Sequence, residues 1–433
     1  MSIEYLWTKN IKMPTFPSLK GTVNTDVLII GGGMAGVLCA LRLKEAGVDY
    51  VLAEGKTVGG GITKGTTAVL TAQHDTLYQD IVKKFGEEKA RLYLKANLEA
   101  VNEFANLSKK IPCDFERKPS FMYTLYDSEK LDKEAKTLKR LGFNASFTRK
   151  TPLPFKVAGA VKFPEMAQFH PLKFLSNAVK GLNIYEHTFV NRIDKTTAYT
   201  QNGVINAKRI IVATHFPFIN SHGFYFVKLY QRRSYVIAYE NASDIGCTVD
   251  NFDKDGFYLR NYNGLLIIGG GTKRTGKGCG FETVSRFASQ YYPKAKEKYR
   301  WANQDCESLD GIPYIGGYSA SLPNVFVASG FNLWGMTTSL VASHILTDAV
   351  MGKENKYSEV FGTDRSSLTL QLFANLGSAV LELATPVTKR CSHMGCALKW
   401  NKQEHTWDCP CHGSRFDRDG NVIDNPALKK GIV

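Results

Sequence analysis

The sequence predicts an α/β protein of several domains: a doubly wound, Rossmann-like unit at the front, an inserted α+β unit, and a small β unit at the end. Three observations carry this reading. The chain has 433 residues, too many for one compact core. Residues 26–54 read as strand, glycine-rich turn, helix and strand in succession. Near the end, the motifs at residues 391–396 and 409–414 gather four of the nine cysteines and two histidines.

Composition sets the class. With 43% apolar and 22% charged residues, the chain is neither disordered, collagenous nor a small disulfide scaffold. No run of eighteen apolar residues occurs, and Met1-Ser-Ile-Glu-Tyr5 has no cationic segment leading into an apolar one. Neither a membrane span nor a secretory signal is expected, and the expected location is cytoplasmic. An odd cysteine count without an export signal argues for thiols with redox or metal duties. The net charge of +15 is spread in short groups such as Lys83-Lys84, Arg232-Arg233 and Lys273-Arg274. Most of these read as solvated faces; the functional reading is attraction for acidic small molecules or an acidic electron-transfer protein. No nucleic-acid motif accompanies them, so nucleic acid is not an expected partner.

Asp26-Val-Leu-Ile-Ile30 is a short β-branched run, as in a buried parallel strand. Gly31-Gly-Gly-Met-Ala-Gly36 follows, then a helical stretch, Val37–Ala46, that stops at Gly47. A second strand, Val48–Ala53, ends at Glu54. Gly31 permits the tight turn, Gly33 lets the backbone approach a pyrophosphate, and Gly36 lets the helix pack on the strand. With Met34 and Ala35, these residues open a helix whose free N–H groups and dipole suit phosphate. Glu54, eighteen residues beyond Gly36, suits a ribose 2′-hydroxyl and repels a 2′-phosphate, which disfavours NADP.

Later segments select the dinucleotide. Val58-Gly-Gly-Gly-Ile-Thr-Lys-Gly-Thr-Thr-Ala68 is rich in Gly and Thr, and Asn202-Gly203 turns into the strand Ala207–Thr214. Asp310-Gly-Ile-Pro-Tyr-Ile-Gly316 precedes Val325–Thr337 and an apolar helix to about Met351. Together these resemble the flavoprotein oxidoreductases of the D-amino-acid oxidase and glycine/sarcosine oxidase group, over roughly residues 24–351. The resemblance implies FAD as cofactor, beside Gly60, Gly61, Thr63, Thr66, Thr67 and Ala68. It also implies FAD contacts from Ala213, Thr214, Gly330, Trp334, Gly335, Met336 and Thr337. N–H groups at that last turn would stabilise negative charge on a reduced flavin. His215 stands where the family keeps a glycine, a departure that brings an imidazole toward the cofactor. The implied FAD-binding domain is discontinuous: residues 1–75, 161–215 and 310–352.

Residues 76–160 and 216–309 then form the substrate domain. Leu77, Ile81 and Phe85 share a helical face, Ser128–Leu141 is a charged helix, and Ser234–Tyr239, Gly256–Asn261 and Gly264–Gly269 are strands. The resemblance implies an antiparallel sheet roofing the flavin. Candidate catalytic residues each carry a plainer alternative. Lys64 is a cation near the flavin or a loop lysine; His74 an active-site group or a helix N-terminal hydrogen-bonding residue; Trp334 a pocket wall or core. Lys273 resembles a family lysine beside flavin N5. Arg232, Arg233 and Arg260 suit a substrate carboxylate or are surface charges.

The tail reads Cys391-Ser-His-Met-Gly-Cys396, then Cys409-Pro-Cys-His-Gly-Ser414. A zinc knuckle needs no second cysteine in each loop. The pattern resembles Rieske [2Fe–2S] proteins. The resemblance implies Cys391 and Cys409 on one iron, His393 and His412 on the other, and a disulfide between Cys396 and Cys411. Phe416 stands where high-potential centres carry a tyrosine that bonds a cysteine sulfur, while Ser414 is retained. Losing that bond lowers the potential, so the expected value lies in the lower to middle part of about −150 to +300 mV. A potentiometric titration near the top of that range refutes it. Residues 353–383 read as a linker, partly helical on the recurrence of Leu368, Leu372, Leu376 and Val380, and 384–433 as a shortened Rieske domain. Too small to stand alone, that domain should dock on the flavin domain or a partner.

The combination implies an FAD- and Rieske-dependent dehydrogenase. A small amine or amino-acid-like substrate passes a hydride to flavin N5, and electrons leave through the cluster to a one-electron carrier such as a ferredoxin. The reverse reductase and a non-catalytic redox sensor are the alternatives.

Overall fold

A computed structural model describes residues 2–253, 256–365 and 370–433. The apolar run of the front strand, Gly21–Ile30, lies at the centre of an eight-stranded sheet. It pairs in parallel with Gly203–Val212 on one side and Tyr50–Ala53 on the other. Leu322–Ser329 extends the first side in parallel, and Tyr314–Ser319 closes that edge antiparallel. Being flanked on both faces, Leu28, Ile29 and Ile211 are fully buried. The Met34–Glu45 and Gly335–Val350 helices cover the sheet and pack on each other. Their N-termini both open at the carboxyl ends of the central strands, where such sheets bind ligands.

The second sheet has nine strands, with Lys296–Ser308, Leu229–Glu240 and Leu265–Arg274 paired antiparallel at one end. This agrees with an α+β roof, but the sheet is not wholly antiparallel as expected: Thr248–Asn251 pairs in parallel with Glu116–Thr124. The domain limits need adjustment. Val69–Leu70 and Gly159–Gln168 pair with each other in this second sheet. The crossings therefore fall before residue 69 and after 168, not at 75 and 161: the Thr66–Ala68 loop ends the flavin side earlier than its glycine pattern suggests. The helix expected from Leu77 runs to Leu107 with a kink at Gly86, where φ is +87°.

The Leu370–Ala384 helix fills the second half of the expected linker; Leu368 lies outside the described residues. Four short strands follow, Lys399–Asn401, Thr406–Asp408, Arg415–Phe416 and Val422–Asp424, as one antiparallel sheet. This small unit docks on the end of the nine-stranded sheet formed by Leu229–Glu240, Leu265–Arg274 and Lys296–Ser308. Of the five scattered cysteines, Cys39, Cys113, Cys247 and Cys306 are buried. Burial pushes each of these thiols up to about 12, which keeps them neutral and inert. No described helix is long and apolar enough to cross a membrane.

Candidate active site

The glycine turn is built as its spacing requires. Gly31 has φ +110°, and a Cβ there would meet the Ala213 carbonyl at 2.5 Å. A Cβ on Gly36 would collide with the carbonyl oxygen of Gly31. Only glycine fits either position. Glu54 accepts N–H bonds from Gly32 and Lys56, each at 2.7 Å, one on each carboxylate oxygen. Burial lifts its carboxyl above the ordinary range, and the two N–H groups offset part of that. Each oxygen keeps a lone pair toward the cavity, as a ribose diol needs.

A cavity of about 610 Å³ runs from this turn to the nine-stranded sheet. Gly31, Gly33, Met34, Ala35, Glu54, Gly60, Gly61, Thr63, Lys64 and Thr66 line it, as do Ala213, Thr214, His215, Gly335 and Met336. Thr63 also accepts the Met34 N–H at 3.2 Å, which ties the second loop to the helix start. This cradle of backbone N–H groups, small residues and one acid fits FAD.

The remaining sequence candidates lie behind the wall rather than on it. Gly36 packs on Gly31; Gly330 has φ +71° and abuts Leu229 and Ser308. Thr67 and Ala68 give their carbonyls to Arg260, and Thr337 bonds the Thr71 carbonyl at 3.1 Å. Three catalytic candidates are also placed off the cavity. His74 is buried, bonded to Tyr93 Oη at 2.7 Å and the Thr71 carbonyl at 2.9 Å, and burial drives its imidazole down to about 3. Trp334 stacks on His74 with centroids 5.1 Å apart, so both are packing residues. Lys273 points to solvent from the Leu265–Arg274 strand. Lys64 and His215 do face the cavity. Lys64 sits 4.7 Å over the Tyr5 ring. His215 holds φ +69°, and its Nε2 is buried without a hydrogen-bond partner.

None of the three arginines offers a free fork to the cavity; Arg260 keeps Nε and Nη2 unpartnered but is buried and does not line it. Arg260 sits over the Trp7 ring and donates to three backbone carbonyls. Arg233 pairs with Glu404, and Arg232 lies 3.6 Å from Glu307. The charged group this sheet brings to the cavity beyond Arg233 is Asp305, with Asn303 and Gln304 beside it. Burial and the neighbouring Glu307 push Asp305 up to about 7. This strand is not among those expected from the sequence, because the densely charged stretch Lys296–Arg300 hides it. The usable signal was the polar run Asn303–Asp305 directly after the apolar Trp301-Ala302.

The tail assembles as its motif implies. Cys396 and Cys411 are disulfide-bonded, while Cys391 and Cys409 are buried free thiols hydrogen-bonded to each other. The His393 and His412 rings lie 4.9 Å apart, and Nδ1 of each is buried without a partner. Two thiols and two orphaned imidazole nitrogens are the donor set of a Rieske [2Fe–2S] centre. Ser414 takes the Ala427 N–H at 3.0 Å, and its hydroxyl bonds Cys391; Phe416 is fully buried and gives no such bond.

The two sites share a wall. Arg415, Asp424 and Asn425 of the tail line the flavin cavity. Gln231 Nε2 donates to the His412 carbonyl at 2.6 Å, and Gln304 Nε2 to the Gly413 carbonyl at 2.9 Å. Gly413 has φ +82°, and a Cβ there would lie 2.6 Å from that of Gln231. Asn425 donates to the carbonyls of Thr214 and Phe216, whose ring meets His412 edge-on. Arg274 donates to the carbonyls of Pro410 and Cys411, and Asn220 Oδ1 lies 3.0 Å from His393 Nε2.

Fold and site thus define a flavin-dependent oxidoreductase that carries its own Rieske centre. The family described as FAD dependent oxidoreductase matches residues 26–349, and the Rieske [2Fe-2S] domain matches residues 382–432. The chain belongs to the first family, with the second as its C-terminal domain; its cofactors are FAD and a [2Fe–2S] cluster. A Bacillus subtilis (strain 168) protein, "Putative Rieske 2Fe-2S iron-sulfur protein YhfW", is 32% identical, covering 98% of this chain and 96% of its own. Gamma-glutamylputrescine oxidoreductase of Escherichia coli (strain K12) is 22% identical, covering 80% and 88%. Glycine oxidase from Geobacillus kaustophilus superposes with a TM-score of 0.67 at 19% identity, covering 79% and 99%.

Proposed function

We propose that the protein is an amine dehydrogenase whose electrons pass singly through its own Rieske centre to an external one-electron carrier. The observation that supports it is the shared wall. The Thr214–Phe216 turn borders the flavin cavity at one end and His412 at the other, and Gln304 borders the cavity while bonding Gly413. Bound FAD would take a hydride from the carbon beside nitrogen, and the cluster would carry one electron at a time.

The substrate's charged handle is read from the residues themselves. With Arg232 and Arg233 paired to carboxylates and Arg260 off the cavity, a carboxylate lacks its fork, whereas Asp305 offers an anion to an ammonium. The name of the Escherichia coli relative specifies gamma-glutamylputrescine, a polyamine derivative.

In anaerobic mixing, primary and secondary amines should bleach the flavin faster than amino acids do, and cluster reduction should follow. Asp305→Asn should raise the KM for amines about 10- to 100-fold, the worth of one charge-assisted hydrogen bond. Because Asp305 gains its charge as pH rises through about 7, wild-type KM should fall across that interval and the variant's should not. A preference for amino acids, or an unchanged KM in Asp305→Asn, defeats the amine reading. His412→Ala should leave bleaching intact and abolish cluster reduction; loss of both defeats the relay.

A further inference from the structure

The reading above requires an exit for electrons, and on that reading the surface around His393 becomes specific. We propose that this surface docks a small acidic one-electron carrier protein. Among the described residues, eleven large apolar side chains are exposed, and eight of them lie on the Rieske domain, the helix leading into it, or the loop over its histidines. Exposed apolar side chains gathered this way mark an interaction site rather than the scattered background of a protein surface.

Their neighbourhood is continuous. Met394 follows the ligand His393 and is 42% exposed. A Cβ on the next residue, Gly395, would lie 3.9 Å from Leu383, itself 46% exposed. Arg390 knits this corner together: its guanidinium donates to the carbonyls of Leu383 and Gly395, and its backbone pairs with exposed Ile432. Leu381 and Val387 flank Leu383 along the chain and are also exposed. The Tyr225–Lys228 turn packs against the same helix, beside exposed Phe224. His412, by contrast, is 6% exposed under Phe216 and Phe226. The inner histidine thus faces the flavin domain, and the outer one lies beside the apolar patch.

Charge argues for the occupant. Ser392 Oγ bonds the Lys429 carbonyl, which brings Lys429 and Lys430 to the rim of the ligand loop, and Lys389 stands on the other side of Arg390. The nearby acids are spent: Glu382 holds Lys277 and Lys399, and Glu404 and Asp408 are buried on Arg233 and Arg415. Half-buried Asp417, beside Lys430, and exposed Asp419 are the acids at that edge. An apolar centre with a cationic rim, on a chain of net charge +15, complements an anionic partner and steers its approach. Each substrate oxidised releases two electrons, so two oxidised carriers dock in turn and each leaves reduced by one.

The test uses the full-length holoprotein, an acidic plant-type ferredoxin as probe, and a basic c-type cytochrome as control. Calorimetry at low salt should show ferredoxin binding at least about tenfold tighter than the cytochrome, with affinity falling steeply as salt screens the rim. Leu381→Glu with Val387→Glu, and separately Lys429→Glu, should each weaken ferredoxin binding about tenfold or more, with an unchanged cluster EPR spectrum showing that the domain is intact. Equal affinity for both probes, or variants that bind like wild type, overturns the proposal. So does concentration-dependent self-association that the variants abolish, which would assign the patch to a second copy. So too does flotation with anionic phospholipid vesicles in place of ferredoxin binding. Failure of the underlying relay looks different: substrate would bleach the flavin in wild type without reducing the cluster, whatever the carrier does.

Discussion

Glu404→Gln is expected to cost about 3–5 kcal/mol of stability, because it leaves Arg233 charged and buried without its partner. Both side chains are under 5% exposed, and the same carboxylate serves Arg415. Burial opposes the charge on Glu404, yet Arg233 and Arg415 beside it hold the carboxyl below its ordinary range. Its contribution is therefore present above the unfolded value of about 4.3 and is lost as pH falls through the folded one. Chemical denaturation should show the loss, and limited proteolysis should release the Rieske segment from the variant first. Replacing both partners, Arg233→Met with Glu404→Leu, should recover much of the loss, since a buried pair contributes little over a well-packed apolar one. A single variant within about 1 kcal/mol of wild type would mean that the two domains are held by other contacts.

Gly36→Ala should yield protein without flavin. The added methyl collides with the Gly31 carbonyl, and neither the helix nor the strand can retreat without opening the dinucleotide turn. Such overpacking at a special backbone position belongs with substitutions costing more than about 4 kcal/mol. The measurement is absorbance near 450 nm per mole of purified chain, set against iron content. A variant that retains full flavin would show that the helix is free to move. Retained iron with lost flavin would show that the cluster hairpins fold around their metal regardless.

Much of this was legible before any coordinates. The Gly31–Gly36 turn, Glu54 and the cysteine–histidine pairs depend on local chemistry and fixed spacing, which a sequence displays directly. What depended on long-range packing did not transfer. His74 has the chemistry of an acid–base residue, yet the chain folds it under Trp334 and against Tyr93, where burial keeps it neutral. Arg233 resembled an anion-binding residue, and it does bind one, but the anion is Glu404, 171 positions away in sequence. Asp305 was passed over because a carboxylate in mid-strand carries no motif. It matters only once the fold turns it into the cavity and commits the arginines around it. Domain limits shifted at Val69–Leu70 and Gly159–Gln168 for the same reason: pairing partners far apart in sequence decide which sheet a strand joins.

That Arg415, Asp424 and Asn425 wall the flavin cavity has a thermodynamic consequence. If the cluster orders these hairpins, it completes the flavin's binding surface; if the flavin fills the cavity, it steadies the hairpins on which the cluster is assembled. Linkage makes the two effects equal: by whatever factor loaded iron tightens FAD, FAD must tighten the loaded iron. Loss of either group, by chelation or by flavin depletion, therefore loosens the other by the same factor.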